Sequence, residues 1–127
     1  MTMLTLHLLP DTYAIWQLPV NGAPPSIPTN RFHCVIRTSD ELSGVCPSDA
    51  VPAHATVDDN WRCLQFIGPF DLTLTGIMVQ VAQPLASAGV PIFTLATYNT
   101  DYILVPQARL EHALTALRQA KITVHTV

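Results

Sequence analysis

One run of polar groups in this 127-residue chain is Thr97-Tyr98-Asn99-Thr100-Asp101. Hydroxyls and an amide there can donate and accept hydrogen bonds, while the Asp101 carboxylate can hold an ammonium or a guanidinium. Tyr98 offers a flat apolar wall. A second group lies upstream, with Asp71 in the stretch Phe70-Asp71-Leu72-Thr73, followed by Thr75, Gly76 and Ile77. An amphipathic pattern begins at that point, and a helix N-terminus presents unpaired N–H groups and partial positive charge, a seat for a carboxylate. Gly76 would let the backbone approach a ligand closely, and the Thr75 hydroxyl would add a hydrogen bond. Each residue also has a plainer use. Asp101 is a good turn residue, Asp71 suits a helix dipole, Gly76 permits close helix–sheet packing, and Tyr98 can be an ordinary edge aromatic.

Catalysis and metal binding find little support. Cys34, Cys46 and Cys63 form no CxxC pair and each sits in a strand-like stretch, which reads as free thiols in a reducing cytoplasm. The five histidines are dispersed, and none stands at ligand spacing from a cysteine or another histidine. Cys63 has no His or cation nearby in sequence, and His112 and His125 lie far from any serine signature. No catalytic residue, metal or cofactor is expected.

Composition narrows the partners. Hydrophobic residues make up 49% and charged residues 12%, so a folded core is expected. A net charge of −3, with six scattered basic residues, gives no footprint for nucleic acid or an anionic membrane. Residues 1–9 lack a basic start and end at Pro10-Asp11, too short for a signal core or a membrane span. The expected location is the cytoplasm.

The elements that must position these groups can be read in order. Leu4, Leu6 and Leu8 alternate with polar residues as in a half-buried strand. Pro10-Asp11-Thr12 is expected to turn the chain into a returning strand over 13–18. Residues 19–30, with four prolines, form a loop. Strands are expected over 32–37 and 42–46, then a polar connection over 47–60 that Pro52 keeps from being a long helix. A strand over 61–67 follows. From Leu74 the positions Ile77, Met78, Val81, Leu85 and Ala88 make one helical stripe, capped by Thr73 or Thr75 and ended by Gly89. Pro84 inside it predicts a kink near Gln80. Strands over 92–97 and 102–105, a second helix opened by Pro106, and a short strand over 122–124 complete the chain. The fold class is therefore α+β, with a ferredoxin-like βαββαβ order in residues 60–127.

Residues 1–59 repeat part of this plan. An offset of 59 places Pro10 on Pro69, Thr38 on Thr97 and Pro47 on Pro106, with matching strands around them. The helical stretches have no counterpart, so 1–59 reads as a degenerate, strand-rich copy of 60–127.

Trp61-Arg62-Cys63-Leu64, Gly68-Pro69-Phe70-Asp71, Leu74-Thr75-Gly76-Ile77, Pro84-Leu85-Ala86 and the stretch from Thr97 to Val105 together resemble the CASTOR-type ACT domains. The resemblance covers residues 61–119 tightly and 32–47 more loosely. It implies a pair of ACT-like folds and amino-acid sensing without catalysis. It also implies a ligand pocket lined by Thr75, Gly76 and Ile77 on one side and by Thr97, Tyr98, Asn99, Thr100 and Asp101 on the other. In 1–59 Leu42 stands where Asp101 would, so an equivalent second site is not expected. The expected function is a small-molecule-binding regulatory protein, with an amino acid as ligand and Asp71 among the site residues. It would act as a homodimer and through a protein partner of unknown identity. The alternative is a structural interaction module whose ligand pocket has closed.

Overall fold

A computed structural model of the chain describes residues 3–126. Seven strands and two helices follow one another: β1 (Thr5–Leu18), β2 (Cys34–Arg37), β3 (Leu42–Pro47), β4 (Thr56–Phe66), α1 (Ile77–Ser87), β5 (Phe93–Ala96), β6 (Asp101–Pro106), α2 (Leu110–Gln119) and β7 (Thr123–Thr126). Single 3-10 turns precede β4 at Ser48–Ala50 and α2 at Gln107–Arg109. The chain forms two compact units, one of Met1–Pro10 with Arg62–Val127 and the other of Asp11–Trp61. The opening residues thus belong with the helical part of the chain, although the sequence groups them with 11–59.

The helical unit is α+β, as expected. Across its sheet the strands run β7-β1-β4-β6-β5, with β7 parallel to β1 and β5 antiparallel to β6. In sequence the elements from β4 onward keep the βαββαβ order, yet β7 does not lie beside β4. The first stretch of β1 stands between them, and the Ile67 N–H donates to the Thr5 carbonyl at 3.0 Å. Leu4, Leu6 and Leu8 turn one face of β1 into the core. They meet Leu64 and Phe66 of β4, Ile103 and Val105 of β6, and the apolar stripes of both helices. Those stripes are Ile77, Val81 and Leu85 on α1, and Leu110, Ala113, Leu114 and Leu117 on α2. Each fully buried aliphatic side chain stabilises by about 1.5–3 kcal/mol, so this cluster orders the helices on the sheet.

The other unit has no helix longer than a single turn among its described residues. Its sheet joins β2 to β3 and β3 to the later stretch of β1, both antiparallel. The core is Trp16, Ile27, Leu42 and Cys46, with Leu18, Ala50, Val51 and Ala55 packed against it. Ile27 comes from the proline-rich segment, which forms no regular element; one tight turn is closed by the Gly22 N–H on the Pro19 carbonyl at 2.8 Å and another by the Arg31 N–H on the Pro28 carbonyl at 3.3 Å.

Two hairpins match at the offset noted in the sequence. β2 with β3 and β5 with β6 have the same register, Cys34 facing Val45 and Arg37 facing Leu42 in one, Phe93 facing Leu104 and Ala96 facing Asp101 in the other. Both hairpins are closed by a threonine: the Thr38 N–H donates to Glu41 O at 2.9 Å, and the Thr97 N–H to Thr100 O at 2.8 Å. Pro47 and Pro106 each end a strand and lead into a 3-10 turn. All of these correspondences fall at the offset of 59.

Several local expectations need correction. Pro10 does not turn the chain, and β1 runs through it as one strand. Its ladder to β7 ends at Leu8 and its ladder to β3 begins at Tyr13. Pro10 lies in that interval, where a residue without an N–H is tolerated. β4 begins at Thr56, inside the expected connection. Pro106 ends a strand and does not open α2. Neither Thr73 nor Thr75 caps α1, whose N-cap is Gly76 with φ 83°. Pro84 lies within α1, which runs on to Ser87 before Gly89 takes the expected left-handed conformation at φ 72°.

Candidate functional site

Two short segments of the helical unit are tied to each other. After β4 the chain passes Gly68 and Pro69, and the Phe70 N–H donates to the Asn99 carbonyl at 2.8 Å. The Thr100 hydroxyl donates to the Phe66 carbonyl at 2.6 Å. The β5–β6 turn is itself stiffened, because the Thr97 hydroxyl donates to Thr100 O at 3.1 Å while accepting from the Thr100 N–H at 3.3 Å. Backbone and hydroxyl groups so engaged are held in place, leaving the neighbouring side chains to face solvent.

Beyond Phe70 the chain makes an Asp-led turn. One Asp71 carboxylate oxygen accepts from the Thr73 N–H at 2.9 Å and from the Thr73 hydroxyl at 2.8 Å. The Leu74 N–H donates to the Asp71 carbonyl at 2.9 Å. The backbone N–H of Thr73, and then its hydroxyl, hold the Asp71 carboxyl below its ordinary pKa. Asp71 is therefore ionised at neutral pH, and its turn precedes α1 without capping it.

Between these segments lies a cleft of about 100 Å³, lined by Phe70, Asp71, Leu72, Leu74, Ile77 and the whole run Thr97 to Asp101. An adjoining hollow of about 350 Å³ shares Phe70, Asp71, Leu72, Tyr98 and Asn99. Of the residues singled out from sequence, Asp71, Ile77, Thr97, Tyr98, Asn99, Thr100 and Asp101 meet at the cleft. Thr75 and Gly76 do not line it. Phe70, Leu72 and Leu74 do, and sequence reasoning passed over them as site residues. Leu72 and Leu74 are 70% and 47% exposed, and their only sequence signal is that they break the polar character of a loop.

The cleft carries two carboxylates, Asp71 and Asp101, and no Lys, Arg or His lines it. Its field favours a cationic group, and its apolar wall is Leu72, Leu74, Ile77 and the ring of Tyr98. No side chain caps the N-terminus of α1, close by at Ile77.

Close helix–sheet packing is not what Gly76 serves. A Cβ built there meets no atom within 4 Å, so nothing packs closely on it. The residue is needed for its left-handed backbone, which other residues adopt at a cost of about 1–2 kcal/mol. Gly76→Ala should lower stability by about that amount in urea unfolding; an unchanged midpoint would show that the turn relaxes freely.

Burial disfavours the thiolate at Cys34, Cys46 and Cys63. Burial pushes Cys63 up to about 12. Burial, with the charges of Asp59 and Asp49, pushes Cys46 up to about 11. Both are far from the thiolate form that reacts. Among the described residues no group of three or more His, Cys, Asp or Glu could hold a metal ion, and no helix is long and apolar enough to cross a membrane.

Comparison with known proteins places this geometry in a family. The crystal structure of protein Atu0741 from Agrobacterium tumefaciens is similar over 100% of this chain and 96% of that one, with 34% identity and a TM-score of 0.88. The regulatory subunit of aspartate kinase from Thermus thermophilus shares the fold at a TM-score of 0.58 and 14% identity, over 87% of this chain and 93% of that one. The human cytosolic arginine sensor for mTORC1 subunit 1 is 30% identical over 74 residues, 58% of this chain but 22% of the sensor. This chain therefore matches only a small part of the sensor's length. The ACT domain family matches residues 56–119, from the start of β4 to the end of α2 and across the whole cleft, and the chain belongs to that family.

Proposed function

We propose that this protein is a regulatory ACT protein of the CASTOR type that binds an amino acid in the cleft between the 70–77 segment and the β5–β6 turn. The observation that carries this reading is the hydrogen-bonded closure of Phe70 on Asn99 and Thr100 on Phe66, which gathers seven of the nine expected residues around one opening. The likeness to a human arginine sensor supports amino-acid sensing, and the fold shared with an aspartate kinase regulatory subunit supports regulation without catalysis. The thiols, held in the protonated form, supply no nucleophile. In this reading Asp101 holds the ligand's ammonium or guanidinium, Tyr98 and Leu72 cover its apolar part, and the α1 N-terminus receives its carboxylate. With Asp71 and Asp101 both lining the cleft, basic and neutral amino acids should bind ahead of Asp and Glu. Output passes through association, as a cytoplasmic homodimer and with a protein partner.

The test is a thermal-shift screen against the proteinogenic amino acids. A ligand at ten times its Kd stabilises the native state by about 1.4 kcal/mol, which for a chain of this size raises Tm by about 3–5 °C. The expected result is a shift with one or a few amino acids that disappears in Asp101→Ala while the unliganded Tm stays within about 2 °C. An Asp101→Ala protein that keeps the full shift would remove Asp101 from the site.

A second reading is an interaction module with a closed pocket. It is favoured by the cleft's volume of about 100 Å³, below the roughly 300–1,000 Å³ of ordinary ligand pockets. Leu72, Leu74 and Tyr98 would then be contact residues for another protein. A screen without any shift would favour this reading.

A further inference from the structure

The five histidines are scattered in sequence, yet two of them meet in the sheet of the helical unit. β1 and β7 are parallel with Thr5 facing Thr123, Leu6 facing Val124, His7 facing His125 and Leu8 facing Thr126. Leu6 and Leu8 are buried in the core, and Val124 packs against it. Alternation along a strand then puts His7 and His125 together on the opposite face. Their rings lie edge to face with centres 5.9 Å apart. His125 is exposed and His7 half-buried. Among the described residues neither imidazole has a hydrogen-bond or ion-pair partner, so their ring nitrogens are uncommitted.

We propose that His7 and His125 form a two-imidazole site for a borderline divalent transition metal of the Zn(II), Ni(II) and Cu(II) class, with water in the remaining positions. With metal–nitrogen bonds of about 2.0–2.1 Å and near-tetrahedral angles, two imidazoles on one ion have ring centres roughly 5 Å apart, so the observed 5.9 Å requires both rings to turn about their side-chain bonds before a nitrogen of each meets the ion. The class follows from the ligands: imidazole suits Zn, Cu and Ni, whereas Mg(II) and Ca(II) take oxygen. Strands in register supply both rings from a rigid frame, so only these two side chains have to move on binding. The ion would clip the short strand β7 to β1, and it lies on the sheet face opposite the helices. The proposal does not depend on amino-acid binding in the cleft.

Titration with Ni(II), which does not oxidise the buried thiols, tests it on the full chain. In proton NMR the expected result is that substoichiometric Ni(II) broadens the imidazole signals of His7 and His125 while His33, His54 and His112 stay sharp. Calorimetry should give one ion per chain, with affinity falling tenfold or more in His7→Gln and in His125→Gln, and Mg(II) should give no binding. Equal broadening of all five histidines would mean adventitious surface binding and would overturn the proposal. So would an affinity unchanged in both variants, or the absence of any binding. Retained near-native circular dichroism in the variants separates a lost site from a lost fold.

Discussion

Replacing Gly44 by alanine is expected to destabilise the unit of Asp11–Trp61 by about 3 kcal/mol or more, at or beyond the upper end for overpacked cores. Gly44 sits mid-strand in β3, facing Trp16 of β1 on one side and Val35 of β2 on the other. A Cβ at this position would come 2.1 Å from the Cys34 carbonyl oxygen and 2.5 Å from Cζ2 of Trp16. The carbonyl oxygen belongs to a paired strand and cannot swing aside as a side-chain end can. The indole is no freer. Trp16 is 1% exposed and forms the centre of a small core with Ile27, Leu42 and Cys46. Relief would require β2 and β3 to separate or Trp16 to leave its place, and this unit has no helical layer to absorb either movement. In urea, with a slope of about 1–3 kcal/mol/M, the midpoint should fall by roughly 1–3 M. A shift of only a few tenths of a molar would show that the backbone has room the structure does not indicate.

The second large effect is expected at Phe66. Its side chain is fully buried between the sheet and both helices, in one cluster with Leu6, Leu64, Val81 and Leu117. Truncating a buried phenylalanine to alanine costs about 3–5 kcal/mol, because the lost transfer free energy is joined by the cavity left behind. Against a total stability of about 5–15 kcal/mol, such a loss removes much of the margin. Thermal unfolding of Phe66→Ala should come some 10–20 °C lower. Phe66→Leu should lose less, since it leaves a smaller void. The position also bears on the cleft, for the Phe66 carbonyl receives the Thr100 hydroxyl. Any amino-acid response in Phe66→Leu therefore reports whether that backbone anchor survives a change in the ring beneath it. A Phe66→Ala protein melting within about 3 °C of the native one would mean that the core collapses around the gap.

Periodicity served the sequence well wherever one element has one wet face and one dry face. The stripes Ile77, Val81, Leu85 and Leu110, Ala113, Leu114, Leu117 are buried as the 3.6-residue repeat requires. The alternation of Leu4, Leu6 and Leu8 is a strand with one buried face. Two landmarks of the offset of 59, Thr38 and Pro47, could be found because Thr and Pro at strand ends have geometric duties that side-chain substitution does not relax, whereas Pro10 lies inside β1. Pro47 and Pro106 close their strands in the same conformation, and Thr38 and Thr97 tie the same hairpin.

Punctuation residues misled where a local rule had to compete with pairing. Pro10 signals a turn in isolation, but neighbouring strands on either side of it keep β1 extended. Asp58, Asp59 and Asn60 look like a polar linker, yet they lie within β4 among exposed positions, and alternation is not visible in a strand wet on both faces. The expected threonine cap is absent: Gly76 in the left-handed conformation stands at the N-cap of α1, while Thr73 is engaged through its N–H and its hydroxyl by the Asp71 carboxylate. Nothing in a list of residue types decides which of two neighbouring polar side chains will accept the bond.

By itself, then, the sequence determined the elements with one apolar face and the hairpins closed by Thr38 and Thr97. These properties are local, and they act through the nearest few positions along the chain. The tertiary structure alone decided that β1 stands between β7 and β4, and that Phe70 is tied to Asn99, 29 residues away in number (99 − 70). It alone placed Leu72 and Leu74 on the cleft and left Thr75 and Gly76 off it. It alone brought His7 to His125. Such contacts depend on which strands pair and in what register, a choice made by burying the whole apolar surface at once, and no window of neighbouring residues contains it.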